Sequence, residues 1–576
     1  MRDGIHLDAN VYHPPGTGRF PCILIRTPYG KGEALPPGYL SFIDHGYAVV
    51  MQDVRGRYQS EGVFDALEQE GPDGYDTLTW ISRQPWANGR IGMLGGSYLG
   101  IVQWRVALLN HPNLKAIFPV VSGCDDYTDR FYSPGGAMKL GHRLLWLANN
   151  LRAPTMPDPA NFQDFVYHLP LRTADKAATG QTLNLYQQVL NHPAYDAYWK
   201  RVSVRDKLDR IHLPVFSVGG WYDNYVESDL EAFSTLSKLP GRAYGTTRIL
   251  IGPWPHNMSL KFAGVDFGLD SSSPVRAYQI DWFDHWLKGR PELGHHHAAG
   301  TWHEVKSEVA ASPIEIFVMG VNRWRDEQEW PLARARAEPL YLSSKGHANG
   351  ARGDGRLEWN TPKKEKNDSF TYDPAKPVPT VGGAVCCDPK IFPWGPLDQR
   401  GVENRNDVLV YTSKPVPRDL EVTGAIHLVA YVSSSAPDTD FTAKLVDVFP
   451  DSEARNLTDG ILRLRYREGV DRPLAGHPGE IYPVTIDLGV TSNVFLKGHR
   501  IRLEVSSSNF PRFDRNPNTG RTVADETTLK KAEQNVFHGR IYPSHLVLPV
   551  IPELLSAAAA RYPADRRSSQ LSLRAR

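Results

Sequence analysis

Arg90-Ile91-Gly92-Met93-Leu94-Gly95-Gly96-Ser97-Tyr98-Leu99-Gly100 decides how this chain is read. An apolar run suited to a buried strand stops at two glycines and a serine. Apolar residues at helical spacing follow, from Leu99 through Val106 to Leu109. This pattern fits a nucleophile elbow, in which a tight strand-to-helix turn lifts one serine hydroxyl above a parallel sheet. Small neighbours suit a strained backbone at that serine. The usual pattern places its second glycine two residues after the serine; here Tyr98 and Leu99 come before Gly100.

The surroundings of the elbow repeat its rhythm. Upstream, Ile5 to Tyr12, Pro21 to Ile25 and Tyr47 to Gln52 read as strands, and the spacing of Tyr75, Leu78 and Ile81 predicts a helix between Asp73 and Gln84. Downstream, Lys115 to Val121 reads as a further strand. Strands separated by helix-sized segments imply a mostly parallel α/β sheet. The rhythm breaks between Asp125 and Asp206, where Leu140–Leu151, Gln181–Leu190 and Tyr195–Lys200 are helix-forming. A helical insertion over the C-terminal edge of the sheet is expected there, the edge at which such sheets bind ligands. Strands resume at Leu213–Gly220 and Thr247–Gly252, and an aromatic helix spans Val275 to Leu287.

Residues 288–312, with Gly294-His295-His296-His297, read as a polar connector. Adjacent histidines point different ways and no carboxylate is spaced to help them hold a metal, so a solvated loop is expected. From Ile314 to about Ile551 alternating runs such as Ala425–Val432 and His499–Ser506 predict a β-sandwich or jelly roll, with a helical pattern only at Val523–Gln534. The polar, basic tail Arg566–Arg576 is expected to fray. The organisation is therefore an α/β core in two parts, 1–123 and 206–310, a helical segment 124–205, and a β domain 311–576.

A chain of 576 residues exceeds what one core supports. Its formal net charge of +1 gives no electrostatic argument for nucleic acid or an anionic membrane. No apolar run reaches bilayer length, and the start Met1-Arg2-Asp3-Gly4-Ile5 lacks the layout of a secretory signal. Four cysteines, Cys22, Cys124, Cys386 and Cys387, make no disulfide framework, and the adjacent pair is not expected to bridge. Reduced thiols and a cytoplasmic location are the expectation; a chain trimmed of a leader would read the same way. The oligomeric state is left open.

A serine needs a base, and the base needs an orienting carboxylate. The α/β-hydrolase order is serine, then acid, then histidine. The two strands after the insertion end in Gly219-Gly220-Trp221-Tyr222-Asp223 and Gly252-Pro253-Trp254-Pro255-His256. Asp223 alone could simply cap the helix that begins near Val226, and His256 is one of 20 histidines. Together with Ser97, in the right order and each at a strand end, they make a triad the better reading. For the oxyanion hole, the Tyr98 N–H supplies one donor. The loop after an early strand holds Tyr29, whose phenol is either a second donor or a packing group.

These stretches, with Arg26-Thr27-Pro28-Tyr29-Gly30-Lys31 and Asp53-Val54-Arg55-Gly56-Arg57, resemble the CocE/NonD hydrolases, relatives of the bacterial Xaa-Pro dipeptidyl-peptidases. The likeness continues through Pro379-Thr380-Val381-Gly382-Gly383, Asp398-Gln399-Arg400, Asp407–Tyr411 and Phe510–Asn516. It implies an α/β hydrolase core with a helical lid insertion and a C-terminal all-β jelly-roll domain. It implies serine hydrolysis of a small-molecule ester or amide without metal or organic cofactor. By position, Ser97 becomes the nucleophile, His256 the base, Asp223 the orienting acid and Tyr29 the side-chain oxyanion donor. Phe131, Trp146 and Tyr225 would line the acyl pocket, and Cys386 and Cys387 stand where bulkier apolar residues are found, which would widen it. Two departures are expected to matter. The segment that usually precedes Met1–Gly4 is absent, so an edge strand is expected to be missing. Relatives acting on α-amino acid esters carry an acidic pair after the catalytic aspartate, where Tyr225 and Val226 stand here, although Asp125 and Asp126 leave room for a cation. An esterase is the leading expectation, an amide-cleaving acylase or peptidase the second, and a non-catalytic carbohydrate-binding protein the third.

Overall fold

Alternate residues of the early strands enter two different cores, which is what a sheet covered on both faces requires. The computed structural model describes residues 1–576 except 153–155, 157, 261–263, 273–274, 291–293, 299–300, 306–311, 364 and 553–576. Its first sheet is built from β1 (Ala9–Tyr12), β2 (Phe20–Thr27), β3 (Ala48–Asp53), β4 (Ala87–Gly96), β5 (Leu114–Val120), β6 (Val215–Tyr222) and β7 (Thr247–Pro255). A hairpin, β8 (Gly294–Ala298) and β9 (Thr301–Val305), follows, and β10 (Ile314–Val318) and β11 (Arg323–Glu327) return to the first sheet. The order is β1-β3-β2-β4-β5-β6-β7-β10-β11, with β1 and β11 antiparallel at the two edges.

The helices of this part are α1 (Leu40–Asp44), α2 (Glu70–Ser82), α3 (Tyr98–Ala107), α4 (Leu140–Leu151), α5 (Phe162–Val166), α6 (Ala174–Thr179), α7 (Asn184–Asn191), α8 (Ala197–Val202), α9 (Val226–Ser237) and α10 (Val275–Lys288). On one face Leu24, Val50, Met93 and Ile117 pack with Leu78 and Ile81 of α2, Val102 of α3 and Leu236 of α9. On the other, Ile23, Val49, Leu94 and Phe118 pack with Phe42 of α1 and Trp282 and Phe283 of α10. Between β5 and β6 the chain is helical, from a π-helical turn at Asp126–Phe131 through α8. That segment buries Phe165, Tyr186 and Trp199 together with Phe392, Trp394 and Phe510 of the C-terminal part.

The C-terminal part is an eleven-stranded sheet system between Arg336 and Val550, whose longest pairing joins Leu420–Ser434 to Tyr482–Phe495. Leu428, Ile486, Leu503 and Leu546 lie in its core.

Three expectations are corrected, and one pairing was not foreseen: within 311–576, β10 pairs in parallel with β7 of the first sheet and carries β11 with it. An alternating strand has the same pattern in either sheet, so its partner is invisible locally. The polar connector holds the β8–β9 hairpin, with His295 to His297 on β8 instead of in a loop. Val523–Gln534 is not a helix; a short 3₁₀ turn covers Val523–Asp525, and Ala532–Phe537 is a strand whose burial alternates. Cys386 and Cys387 are joined as a vicinal disulfide, while Cys22 and Cys124 are free and buried. The tail Arg566–Arg576 lies outside the described residues.

Candidate active site

The C-terminal ends of β4, β6 and β7 each deliver one side chain to the same place. After Gly96 the chain turns abruptly, and Ser97 takes φ 56 and ψ −123 before α3 begins at Tyr98. That conformation is costly for a residue with a side chain, which marks Ser97 as held by its surroundings. Its N–H donates to the Val120 carbonyl at 2.9 Å. A Cβ on Gly95 would stand 2.5 Å from that of Leu99, and one on Gly100 would stand 2.5 Å from that of Ser122. The displaced second glycine therefore lets α3 close onto the segment after β5.

His256 follows β7 directly. Its Nε2 lies 2.9 Å from Ser97 Oγ and its Nδ1 2.8 Å from Asp223 Oδ1. The Asp223 side chain is fully buried and does not cap α9, whose N-cap position is Tyr225 and which has no side-chain cap. A carboxylate on Nδ1 favours the tautomer with its proton there, leaving Nε2 to accept from a hydroxyl. Beneath Asp223, Asp229 accepts from the Gly123 N–H at 3.0 Å, and burial with the neighbouring Asp223 charge pushes its carboxyl well above the usual range.

Tyr98 is the first residue of α3, so its N–H has no acceptor within the helix. Its phenol points the other way and donates to Glu70 Oε1 at 2.7 Å. Glu70 in turn pairs with Arg26 at 2.6 Å, both buried. Sequence reading missed this anchor beneath the elbow, since a lone glutamate at a helix start carries no sign of what it meets.

Tyr29 stands across from Ser97 in one pocket. Its N–H donates to Thr27 Oγ1, and Arg57 holds the adjoining loop through the Pro28 carbonyl at 3.0 Å. The Trp146 Nε1–H donates to Tyr29 Oη at 3.1 Å, and the phenol also meets the Ser97 hydroxyl. Tyr29 is 39% exposed, and a phenol titrates far above neutral pH, so it stays protonated there.

The same pocket is lined by Tyr98, Phe131, Trp146 and Tyr225, so the three expected acyl-pocket residues are brought together beside Ser97. Tyr98 and Trp146 stack with ring centres 6.1 Å apart, and Tyr225 lies 5.4 Å from the His256 ring. Cys386 and Cys387 do not line this pocket; Cys386 is buried elsewhere and Cys387 faces solvent. Asp125 and Asp126 are not available to a cationic substrate. Asp125 caps the π-helical turn through the Tyr127 and Thr128 N–H groups and faces Arg205, and Asp126 pairs with Arg105 and Arg130.

Five pocket residues escaped the sequence reading: the apolar Ala66, Ile101 and Leu185, and the two arginines Arg130 and Arg143. For the arginines a signal existed. Arg143 precedes Trp146 by three positions on α4 and so shares its helix face, and Arg130 adjoins Phe131.

Known proteins are similar to this chain along nearly its whole length. Residues 3–258 match the X-Pro dipeptidyl-peptidase (S15 family) model, and residues 307–547 match the X-Pro dipeptidyl-peptidase C-terminal non-catalytic domain. The chain is 37% identical to the cocaine esterase of Rhodococcus sp. (strain MB1 Bresler), over 96% of this chain and 97% of that protein. Among solved structures, an aminopeptidase from a marine sediment Thaumarchaeota archaeon superposes with a TM-score of 0.83 at 25% identity, covering 96% of this chain and 95% of the other. An α-amino acid ester hydrolase superposes with a TM-score of 0.81 at 25% identity, with the same coverage. The chain belongs to the CocE/NonD family of serine hydrolases, relatives of the X-Pro dipeptidyl-peptidases, with an N-terminal α/β hydrolase domain and a C-terminal β domain.

Proposed function

We propose that this CocE/NonD family member is a carboxylesterase working through an acyl-enzyme on Ser97. The observation that carries the reading is the unbroken line Ser97 Oγ, His256 Nε2, His256 Nδ1, Asp223 Oδ1, with contacts of 2.9 and 2.8 Å. Ser97 Oγ attacks the ester carbonyl carbon as its proton passes to His256 Nε2. Asp223, shielded from water, steadies the imidazolium so formed. The carbonyl oxygen becomes an oxyanion held by the Tyr98 N–H and the Tyr29 O–H. As the tetrahedral intermediate collapses, the C–O bond to the alcohol breaks and His256 returns the proton to the leaving oxygen. Water, deprotonated by the same nitrogen, then releases the acid and restores Ser97.

In this reading residues 124–205 act as a lid, the C-terminal part is a jelly-roll domain, and Phe131, Trp146 and Tyr225 form the acyl wall. Amide cleavage by the same groups is the second reading, favoured by the aminopeptidase likeness. Against aminopeptidase or amino-acid ester chemistry stand Tyr225 and Val226 where an acidic pair would hold an ammonium, and the commitment of Asp125 and Asp126 elsewhere. An inert carbohydrate-binding protein would have no use for the Ser97 backbone strain or the hydrogen-bonded line. The test is a panel of aryl esters, alkyl esters and acyl amides, with Ser97→Ala as control. Ester hydrolysis lost in Ser97→Ala is the expected result; turnover of amides without esters would favour the peptidase.

A further inference from the structure

Two buried guanidinium groups share the pocket of Ser97, and their counter-charge is incomplete: among the described residues Arg143 has no carboxylate partner, and Arg130 shares Asp126 with Arg105. Arg130 and Arg143 are 6% and 5% exposed. A charge taken out of water is costly unless paired. Among the described residues Arg143 makes no ion pair; its Nη2 donates to the Asp129 carbonyl at 3.3 Å and to Tyr225 Oη at 3.0 Å, and its Nε has no partner. Arg130 meets Asp126 at 3.1 Å, but Arg105 shares that carboxylate, and Arg130 Nη2 has no partner. The nearby Asp129 carboxylate accepts from the Asp125 N–H at 2.8 Å and pairs with neither guanidinium directly, and burial with the Asp125 charge pushes it up. Asp223 is bonded to His256.

The two cations also sit against aromatic walls of this pocket. The Arg130 guanidinium lies 5.8 Å from the Tyr98 ring centre and that of Arg143 lies 5.4 Å from the Tyr225 ring centre. Aromatic faces relieve a buried cation only in part. A carboxylate suits a guanidinium far better, because two parallel N–H donors match its two oxygens.

We propose that the pocket beside Ser97 selects esters whose acid part carries a second, anionic carboxylate, seated by Arg143 and Arg130. The substrate class is monoesters of short dicarboxylic acids, with the ester carbonyl at Ser97. An ammonium-bearing acid part would meet like charge there and be excluded. The inference rests on the acyl-enzyme reading above for the direction in which the substrate lies.

Two measurements on the full chain separate the inference from that reading. In the first, kcat/KM is compared for the mono-4-nitrophenyl esters of succinate, glutarate and adipate and for their neutral methyl diesters. The anionic ester is expected to be preferred by about tenfold or more at one of these lengths. That ratio is expected to fall toward one in Arg143→Gln or Arg130→Gln and to be held better by Arg143→Lys. Equal or greater turnover of the neutral diester at all three lengths would overturn the proposal, as would a ratio unmoved by both glutamine variants. In the second, Ser97→Ala protein is titrated with monomethyl and dimethyl glutarate by calorimetry, which needs no turnover and no arginine variant. Binding of the monoanion about tenfold or more tighter than the diester supports the proposal even where no ester is cleaved. Equal binding, or none, counts against it.

Discussion

The indole N–H of Trp146 donates to the phenol oxygen of Tyr29 at 3.1 Å, so one aromatic wall of the pocket fixes where the other aims its proton. In the acyl-enzyme reading, the Tyr29 O–H beside the Ser97 hydroxyl turns to the developing oxyanion. Replacing Tyr29 with Phe is expected to lower kcat by about 10²–10³-fold while changing KM little, the cost of removing one preorganised oxyanion donor. Steady-state kinetics on a neutral aryl ester decide this. An unchanged kcat would make Tyr29 a packing residue.

Asp223 is expected to be needed for the correct imidazole tautomer and not for folding. Asp223→Asn keeps the size but offers an N–H or a poor acceptor to His256 Nδ1. The turnover number is expected to fall by about 10⁴-fold, the magnitude typical of that substitution in a serine triad. Thermal unfolding followed by circular dichroism should stay close to wild type, because the neighbouring Asp229 is relieved of a like charge. A folded variant with near-normal turnover would remove Asp223 from the mechanism.

Beneath the elbow, Glu70 joins Arg26 and the Tyr98 phenol in a buried group. Burial pushes its carboxyl up, opposed by the charge of Arg26 and the Tyr98 hydrogen bond. Truncation to Ala strands Arg26 out of water and is expected to cost about 3–5 kcal/mol of stability. The urea midpoint measures it, and a shift equivalent to less than about 1 kcal/mol would mean that the pair is not the anchor of the turn.

Gly100 faces Ser122 with no room for a methyl group. Gly100→Ala is expected to destabilise the protein by about 1–3 kcal/mol through overpacking, although alanine favours a helix elsewhere. A rise in melting temperature would contradict the close approach of α3 to the segment after β5.

Much of the site was legible because each of its three central residues sits where a strand ends, and strand ends are local events. Ser97 follows Gly95-Gly96, Asp223 follows Gly219-Gly220, and His256 follows a run ending at Gly252-Pro253. The position of Tyr29 was legible as well, but whether its phenol was spent on another group depended on Trp146, 117 residues away. What stayed hidden is what depends on distant partners. The pairing of β10 with β7 is one case, since alternation does not name the neighbouring strand. Asp125 and Asp126 are another: they read as spare negative charge, yet one closes its own turn and the other meets Arg105 and Arg130. The Cys386–Cys387 bond was hidden for another reason: it joins chain neighbours, and residue types alone do not specify the local backbone that brings their sulfurs together.

The central claim is that Ser97 carries the acyl group, and trapping that species tests it most directly. The protein is mixed with a 4-nitrophenyl ester, quenched in acid within one turnover, digested and examined by peptide mass spectrometry. The account predicts the acyl mass on the peptide containing Ser97, its absence from Ser97→Ala, and a loss of hydrolysis in that variant of at least about 10³-fold. An acyl group on another residue, or a Ser97→Ala protein that hydrolyses the ester at the wild-type rate, would contradict it.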